Sequence, residues 1–225
     1  MFARYAKMAK GFTRIGKEIS IAVKAGGPNP DNNARLRIVM QNAKSINMPK
    51  DRVEAAIKKA SSKEDKDFEE VVYEGYGPYG VPIVVETATD NPTRTVANIR
   101  LYFNRAEGAL GKTGSLDFLF ERKGIFKIDQ GSFSLDDLEL ELIDHGAQEV
   151  YKDDEMGVIV ETSFNDFGVM QKALEQRNIT VISAELQRVP ASLVELTEEQ
   201  EKEVQELIDA IEEDDDVQAV YHNMK

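Results

Sequence analysis

Residues Tyr73 to Asp90 read YEGYGPYGVPIVVETATD, a glycine- and tyrosine-rich segment that runs directly into β-branched residues. The apolar run from Val81 to Thr87 is nearly continuous, as in a strand buried on both faces of a sheet. The residues before it, with three glycines and Pro78, have the composition of a loop. This loop and strand mark a junction, because the chain before them is basic with helical periodicity and the chain after them is acidic and mixed.

Length and composition are typical of a soluble globular protein. The chain has 225 residues, of which 41% are hydrophobic and 31% are charged. No stretch approaches the roughly 18–20 consecutive apolar residues of a membrane span, and the N-terminus has no apolar segment of a secretory signal. The absence of cysteine excludes disulfides and thiolate metal sites and fits a reducing compartment. We therefore expect a cytoplasmic protein without membrane contact.

Charge is distributed unevenly along the chain. Residues 1–60 contain thirteen Lys/Arg and four Asp/Glu, a balance of +9; because the whole chain carries −13, the remaining residues hold −22. Charges farther apart than about 8–10 Å are largely screened at physiological salt, so the two segments act separately. The basic head, residues 1–62, predicts a polyanionic partner, and the acidic body that follows predicts that only the head touches it.

The head has the pattern of three short amphipathic helices. Its first apolar stripe ends at Gly26-Gly27-Pro28, a sequence that stops a helix. Asn29 is predicted to cap the second helix with Pro30 as its first residue, and Pro49 is predicted to open a third helix that runs to Ala60. The apolar positions at helical spacing are Tyr5, Met8, Phe12, Ile15, Ile19, Ala22, Val23, Leu36, Val39, Met40, Ala43, Val53, Ala56 and Ile57.

The basic side chains of the head fall largely off these stripes. The predicted nucleic-acid-binding residues are Lys7, Lys10, Arg14, Lys17, Lys24, Arg35, Arg37, Lys44, Lys50, Arg52, Lys58 and Lys59. No helix-turn-helix, zinc-finger or RNP-type pattern accompanies them, so the cluster favours contact with the nucleic-acid backbone over base readout. The alternative is that these basic side chains only form a solvated outer face of the head. The excess of thirteen bases over four acids argues against this alternative.

The body is predicted to form two small α/β domains after a polar linker at 61–67. Residues 81–128 give strand, helix, strand and strand, the last two at Leu116–Phe120 and Ile125–Ile128, and residues 198–221 add a helix and a strand. Joined, these elements spell βαββαβ, the ferredoxin-like unit. The predicted fold class is α+β: a basic three-helix domain (1–62), a discontinuous ferredoxin-like domain (68–129 and 191–225), and an α/β domain inserted into it (130–190).

Two glycine-rich stretches imitate nucleotide-binding motifs without their context. Gly75, Gly77 and Gly80 have the GxGxxG spacing, but they precede a strand, whereas the dinucleotide fingerprint follows one. We expect no nucleotide there and interpret Tyr76 and Tyr79 either as a turn before the strand or as groups that stack on RNA bases or dock a partner.

Residues 106–113, AEGALGKT, match the looser P-loop spacing. A working P-loop lies between a strand and the helix that it caps, whereas this stretch lies between a predicted helix and a strand. We therefore expect no ATP or GTP, although Lys112 and Thr113 remain candidates for contact with backbone phosphate.

The remaining polar groups form no catalytic or metal-binding pattern. The two histidines lack a third ligand at metal-site spacing, and neither a serine-hydrolase elbow nor HExxH is present, so we expect no metal, no cofactor, no small-molecule substrate and no enzymatic activity. Arg94, Arg100 and Arg105 are expected to pair with acids of the body. The run EEDDD at Glu212–Asp216 is interpreted as a solvated helix end, or as a surface that repels nucleic acid.

Several long segments resemble the YebC/PmpR family. They are MAKGFTRIGKEISIAVKAGGPNPDNNARLRIVMQNAKSINMPKDRVEAAIKKA, YEGYGPYGVPIVVETATDNPTRTVANIR, GKTGSLDFLFERKG and DDDVQAVYHN, in the order of the family. The family usually opens with a GHSKW-type segment, whereas here only MFARYAKMAKG precedes Phe12. The resemblance implies three domains without a catalytic centre and a role in gene expression, either as a DNA-binding transcriptional regulator or as a ribosome-associated translation factor.

The functional hypothesis is therefore a non-enzymatic regulator whose head binds nucleic-acid backbone. Its partner is ribosomal RNA on the ribosome or promoter DNA, with RNA slightly favoured because duplex-reading motifs are missing and the Tyr76–Tyr79 loop offers stacking groups. The alternative is a protein-interaction adaptor in which the acidic body is the working surface.

Overall fold

The computed structural model describes residues 2–62, 65–129, 131, 133–153 and 157–225, with side chains from residue 8 onward in the first helix. The chain is α+β, as predicted, and the described residues contain seven α-helices and two four-stranded antiparallel sheets.

The head consists of α1 (Phe2–Gly26), α2 (Ala34–Ser45) and α3 (Lys50–Ala60). The predicted apolar stripes meet in one core that includes Ile19, Leu36 and Val53. The predicted cap of the second helix is wrong, because Asn29 caps only a 3-10 turn at Pro30–Asn32.

The cap of α2 is Asn33, whose side-chain oxygen accepts a hydrogen bond from the amide of Leu36. The Asn33 amide group also donates to the carbonyls of Ala22 and Gly27, so this one buried side chain joins the end of α1 to the start of α2. Asn29 and Asn33 are both suitable N-cap residues, and the prediction chose the first of them, which places the start of the helix four residues too early.

The opening stretch of sequence forms a β-hairpin. Strand β1 (Glu69–Tyr76) pairs antiparallel with β2 (Pro82–Thr89) across a 3-10 turn at Pro78–Gly80. The first sheet has the order β3-β1-β2-β8, with β3 at Ala109–Leu110 and β8 at Val217–His222. Strand β2 is central and buried, as predicted, but the prediction of a loop before it is wrong for residues 73–76.

Two helices cover one face of the first sheet. The sequence offers either Asp90 or Asn91 as the cap of helix α4 (Pro92–Arg105), and the structure has Asn91, whose side chain accepts from the amide of Arg94. Helix α7 (Glu198–Glu212) begins with a capping box formed by Thr197 and Gln200. We call these helices with β1, β2, β3 and β8 the first-sheet unit.

The second-sheet unit lies between β3 and α7 in the sequence. Its elements are β4 (Phe120–Ile128), α5 (Leu135–Ile143), β5 (Ala147–Asp153), β6 (Gly157–Ser163), α6 (Phe167–Gln176) and β7 (Val181–Pro190). The sheet order is β5-β6-β4-β7, and both helices contribute to a core around Phe126, Leu142 and Leu174.

The βαββαβ order therefore belongs to residues 120–190, and its assignment to 81–128 plus 198–221 is wrong. Residues 120–128 form one strand that pairs with β6 and β7, which moves residues 120–129 out of the first sheet. The sequence suggested a turn at Gly124, yet this glycine lies within the strand. A Cβ atom there would approach Phe167 and Thr162 at 2.5 Å, so the glycine makes room for packing and does not break the strand.

Gly75 of β1 has the same role in the first sheet and provides a test of the hairpin. A Cβ atom at Gly75 would lie 2.6 Å from the carbonyl oxygen of Ala109 and 2.8 Å from Phe103. We predict that Gly75→Ala lowers the free energy of unfolding by about 1–3 kcal/mol, measured by urea denaturation, because backbone and a fully buried ring cannot easily move.

Gly16→Ala is the matched control, because no atom lies within 4 Å of the added methyl group on α1. Alanine favours helix, so this variant should be as stable as the wild-type protein or more stable by up to about 1 kcal/mol. Equal stability of the Gly75→Ala variant and the wild-type protein would contradict the close packing of β1 against β3 and α4.

Candidate nucleic-acid interface

The basic side chains of the head divide into two groups in the structure. One group contacts the body, and we call its members the docked cations: Lys10, Arg14, Lys17, Lys24, Arg35 and Arg37. The other group lies on the outer side of α2 and α3, and we call it the outer cation face: Lys44, Lys50, Arg52, Lys58 and Lys59. The side chain of Lys7, which the sequence also suggested, lies outside the described residues.

Lys17 is the most enclosed docked cation, with 11% of its side chain exposed. Its ammonium group donates to the carbonyls of Ala88 at 2.8 Å and Asp215 at 2.7 Å, and to the carboxylate of Asp216 at 2.8 Å. These three acceptors account for all three protons of the ammonium group. In this conformation Lys17 has no free donor for a phosphate.

Asp216 joins the head to α4. Besides Lys17, its carboxylate accepts from Arg94 at 2.6 Å and from the hydroxyl of Thr95 at 2.9 Å. Burial opposes ionisation of this carboxyl, but the hydrogen bonds from Arg94, Lys17 and Thr95 outweigh it and lower the pKa of Asp216 to about 2. Asp216 is thus an ionised anchor for the head at any physiological pH.

The acidic run after α7 is a docking site for α1. Arg14 donates to the carbonyls of Val217 at 3.2 Å and Glu212 at 3.4 Å, and Lys10 pairs with Glu213. Carbonyl groups at a helix C-terminus carry partial negative charge and favour cations. The interpretation of EEDDD as a solvated helix end is therefore wrong for Asp216, which is buried against the head.

Arg35 and Arg37 of α2 and Lys24 of α1 extend the docking surface. Arg35 forms a bidentate pair with Glu70 of β1, at 2.5 and 3.1 Å, and Arg37 pairs with Glu175 of α6 at 3.2 Å. Lys24 pairs with Asp67 at 2.5 Å. These pairs are partly or largely exposed, so each contributes about 0–1 kcal/mol and together they orient the head.

Asn42 attaches α2 to the second-sheet unit. Its amide nitrogen donates to the carbonyl of Ala184, and the amide of Ala184 donates to its side-chain oxygen, both at 2.9 Å. The side chain thus satisfies the edge strand β7 as a neighbouring strand would. Asn42 is not among the site residues predicted from the sequence, although its place beside the apolar positions Val39 and Ala43 signals a polar side chain near the core.

The junction of the head and the body also encloses Glu18 of α1. Burial raises the pKa of Glu18 to about 7, assisted by repulsion from Glu185 and Glu70, whereas Arg35 and Arg14 act in the opposite direction. Glu18 forms no hydrogen bond or ion pair with the residues that the structure describes. Its ionisation near neutral pH therefore costs stability at this interface.

The outer cation face is free of the body. Lys44 and Lys58 are exposed and form no ion pair within the described part of the chain. Lys59 lies 3.8 Å from Asp65 and keeps 77% of its side chain exposed, and Lys50 has only a local contact with Glu54 at 3.6 Å. Such exposed pairs break at little cost when a phosphate arrives.

Arg52 completes the outer cation face. Its guanidinium group lies over the ring of Phe12, 5.6 Å from the centroid, so a side chain of α1 stabilises it through a cation–π contact. Arg52 itself is exposed.

Tyr76 and Tyr79 project from the hairpin, with 42% and 50% of each residue exposed. Tyr79 has a left-handed backbone conformation, with φ at 60°, and its hydroxyl donates to Glu203 at 2.6 Å. This hydrogen bond raises the pKa of Tyr79. The hydrogen bond fixes Tyr79 beside the acidic helix α7. Tyr76 lies at the end of β1, where β1 pairs with the edge strand β3.

Lys112 and Thr113 lie on an exposed loop that an internal carboxylate organises. Glu74 is buried in β1, and its oxygens accept from the amides of Gly114 at 2.8 Å and Leu116 at 2.7 Å. In a P-loop such amides face a bound phosphate. Here Glu74 takes that position, which leaves Lys112 exposed at the tip of the loop.

Comparisons with known proteins assign the chain to a family. Residues 1–63 match the model of the TACO1/YebC N-terminal domain, and residues 68–224 match the model of the TACO1/YebC second and third domain. This chain belongs to the TACO1/YebC family. The resemblance seen in the sequence is thereby confirmed.

Similar proteins carry a regulatory name. A protein of Cytophaga hutchinsonii is 61% identical over 98% of this chain and 92% of its own length, and one of Myxococcus xanthus is 53% identical over 100% and 95%. Both are named probable transcriptional regulatory proteins. The crystal structure of a conserved hypothetical protein from Aquifex aeolicus has a TM-score of 0.81 and 37% identity, covering 98% of this chain and 91% of that one.

The described residues lack two features that would indicate other functions. No helix among them is long and apolar enough to cross a membrane. They contain no group of three or more His, Asp or Glu side chains arranged to hold a metal ion.

The raised pKa of Glu18 predicts a specific pH dependence. A carboxyl group whose pKa is higher in the folded protein makes the protein less stable as pH rises from about 4.5 to 7, and the loss is complete above 7. We predict that Glu18→Gln removes this loss, so the variant gains on the order of 1–3 kcal/mol over the wild type at pH 8 and little near pH 5.

Urea denaturation of both proteins at several pH values measures the difference, with Glu139→Gln, an exposed site on α5, as the control. A difference between the Glu18 variant and the wild type that does not change with pH would show that Glu18 titrates like an exposed glutamate.

Proposed function

We propose that this protein is a non-enzymatic regulator of gene expression that binds the backbone of nucleic acid through the outer cation face. The observation that carries the proposal is the separation of the head's cations. Five docked cations form ion pairs with acids beyond residue 62, and Arg14 donates to backbone carbonyls there. Lys44 of α2 and the cations of α3 stay exposed although the chain has a net charge of −13. The regulatory names of the relatives agree with this role.

The identity of the nucleic acid is a choice between duplex DNA and ribosomal RNA. The names of the relatives favour DNA. The four-residue connection between α2 and α3 also has the length found in helix-turn-helix units, and α3 carries most of the outer cation face. The exposed tyrosines of the hairpin favour unpaired RNA bases.

The triple variant Lys44→Gln, Lys58→Gln, Lys59→Gln tests the outer cation face. We predict that binding of labelled duplex DNA or ribosomal RNA fragments weakens about tenfold or more, because three phosphate contacts are lost. The slope of log affinity against log salt should fall in magnitude by about 2.7 for duplex DNA or about 2.1 for single strands. Fluorescence anisotropy at four salt concentrations measures both values.

The matched control is Lys152→Gln, Lys172→Gln, Lys202→Gln, which removes three exposed charges from the body. It should leave the salt slope unchanged. If the two triple variants bind alike, or if the wild-type protein responds to salt with a flat line, the proposal is wrong and the adaptor hypothesis gains. Substitutions of Arg14 or Lys17 are unsuitable here, because they would also detach the head.

Sedimentation with ribosomes, with and without nuclease, separates the two partners. Co-sedimentation that nuclease abolishes would assign the protein to ribosomal RNA, whereas absence from the ribosomal fractions together with tight binding of promoter DNA would assign it to transcription.

The tyrosines of the hairpin allow an independent prediction. If Tyr76 and Tyr79 stack on bases, the double variant Tyr76→Ala, Tyr79→Ala should weaken binding of single-stranded RNA by about 1–3 kcal/mol per stacked base and leave duplex DNA unaffected. Anisotropy with both probes measures this. Unchanged binding of both probes would leave the loop with a structural role only.

A further inference from the structure

Helix α4 is a basic element within an acidic body. Its fourteen residues, Pro92–Arg105, contain three arginines and no acid, whereas residues 61–225 as a whole carry −22. One face of α4 packs on the sheet through Ile99 and Phe103, which are fully buried. The opposite face is open to solvent, so its charge is available to a partner.

The three arginines have different environments. Arg94 pairs with Asp90 at 2.9 Å and with Asp216 at 2.6 Å, as the sequence predicted. Arg100 and Arg105 are exposed and form no hydrogen bond or ion pair with the residues that the structure describes, so the predicted pairing with the body fails for them there. Although the surrounding body is acidic, no described carboxylate neutralises these two guanidinium groups.

The helical geometry places these groups on one open face. At 100° per residue, Arg100 and Arg105 lie about 140° apart around the axis, with Asn104 and Leu101 between them. All four residues are exposed, and Leu101 is 44% exposed. Two planar guanidinium groups that flank an amide and an apolar side chain match a phosphodiester strand, which offers phosphate oxygens beside apolar sugar surface.

The position of α4 connects this face to the head. The first turns of α4 line a cleft of about 540 Å³ together with α1 and the residues after α7. Thr13 and Lys17 contribute from α1, and Arg94 and Asn98 contribute from α4. The exposed face of α4 therefore starts beside the docked head and continues along the first-sheet unit toward Arg105.

We propose that the exposed face of α4 is a second contact surface for nucleic-acid backbone, with Arg100 and Arg105 as the phosphate ligands. The inference rests on the proposed function for the class of partner, but on different residues. It assigns part of the binding to the acidic body, which the charge distribution in the sequence had excluded.

The test is the double variant Arg100→Gln, Arg105→Gln in the full-length protein, with labelled duplex DNA and labelled single-stranded RNA as probes. Each lost phosphate contact lowers the salt slope by about 0.9 for a duplex and about 0.7 for a single strand. We expect the slope to fall in magnitude by about 1.8 with DNA or about 1.4 with RNA, and affinity to fall at least about fivefold. The probe whose slope changes identifies the form of nucleic acid that contacts α4.

Two further variants make the result specific. Lys172→Gln, Lys202→Gln removes the same charge from exposed positions elsewhere in the body and should leave the slope unchanged. Arg100→Lys, Arg105→Lys keeps the charge and loses the planar fork, so it should restore the slope and only part of the affinity. Thermal unfolding should be the same for all variants, because both arginines are exposed.

The outcomes separate this proposal from the function on which it rests. If the α4 double variant keeps the wild-type slope while the outer-face triple variant loses it, the α4 surface is wrong and the head alone binds. An equal effect of the α4 and lysine control pairs would also overturn it, since net charge would then explain the loss. If the wild-type protein shows no salt-dependent binding at all, the proposed function itself fails.

Discussion

The carboxylate of Asp216 holds together the parts of this molecule that the sequence keeps far apart. It receives Lys17 from the head and Arg94 from α4, and it lies in the turn between α7 and β8. Removing one partner from a buried ion pair commonly costs about 3–5 kcal/mol, because the remaining charge is left uncompensated. The positions of the head, the start of α4 and the closing strand of the first sheet are therefore mutually dependent.

This arrangement changes the meaning of the charge asymmetry in the chain. A basic head and an acidic body were expected to act separately, on the argument that distant charges are screened. Chain folding brings them into contact, and salt screens partly buried pairs such as Lys17–Asp216 much less than distant charges. The acids of the body pair with Lys10 and Lys17 of α1 and with Arg37 of α2, whereas Lys44 of α2 and the cations of α3 remain exposed.

Local patterns predicted local structure well in this chain. The three-helix pattern of the head and the buried strand β2 were predicted from residues close together in the sequence, and both are confirmed, although α2 begins after Asn33 and not after Asn29. The helix caps Asn91, Ser134 and Thr197 depend on equally local contacts. The errors have a common cause, which is contact between distant segments. Gly124 resembles a turn in the sequence, but it lies in a strand because Phe167 packs beside it, and the partition of the basic residues depends on acids up to 203 residues away.

The same reasoning explains why two nucleotide-like motifs occur in this chain outside the context of a nucleotide site. The fold itself requires the glycines of the opening stretch. Gly75 has no Cβ atom, so β3 and the ring of Phe103 can pack closely against it, and Gly80 adopts a φ of 74° in the turn. Directly after the AEGALGKT stretch, the backbone amides of Gly114 and Leu116 donate to the carboxylate of Glu74 and are not available to a phosphate. A motif defined by glycine spacing reports close backbone packing, and only the group that faces the amides decides whether the packing serves a ligand or the protein itself.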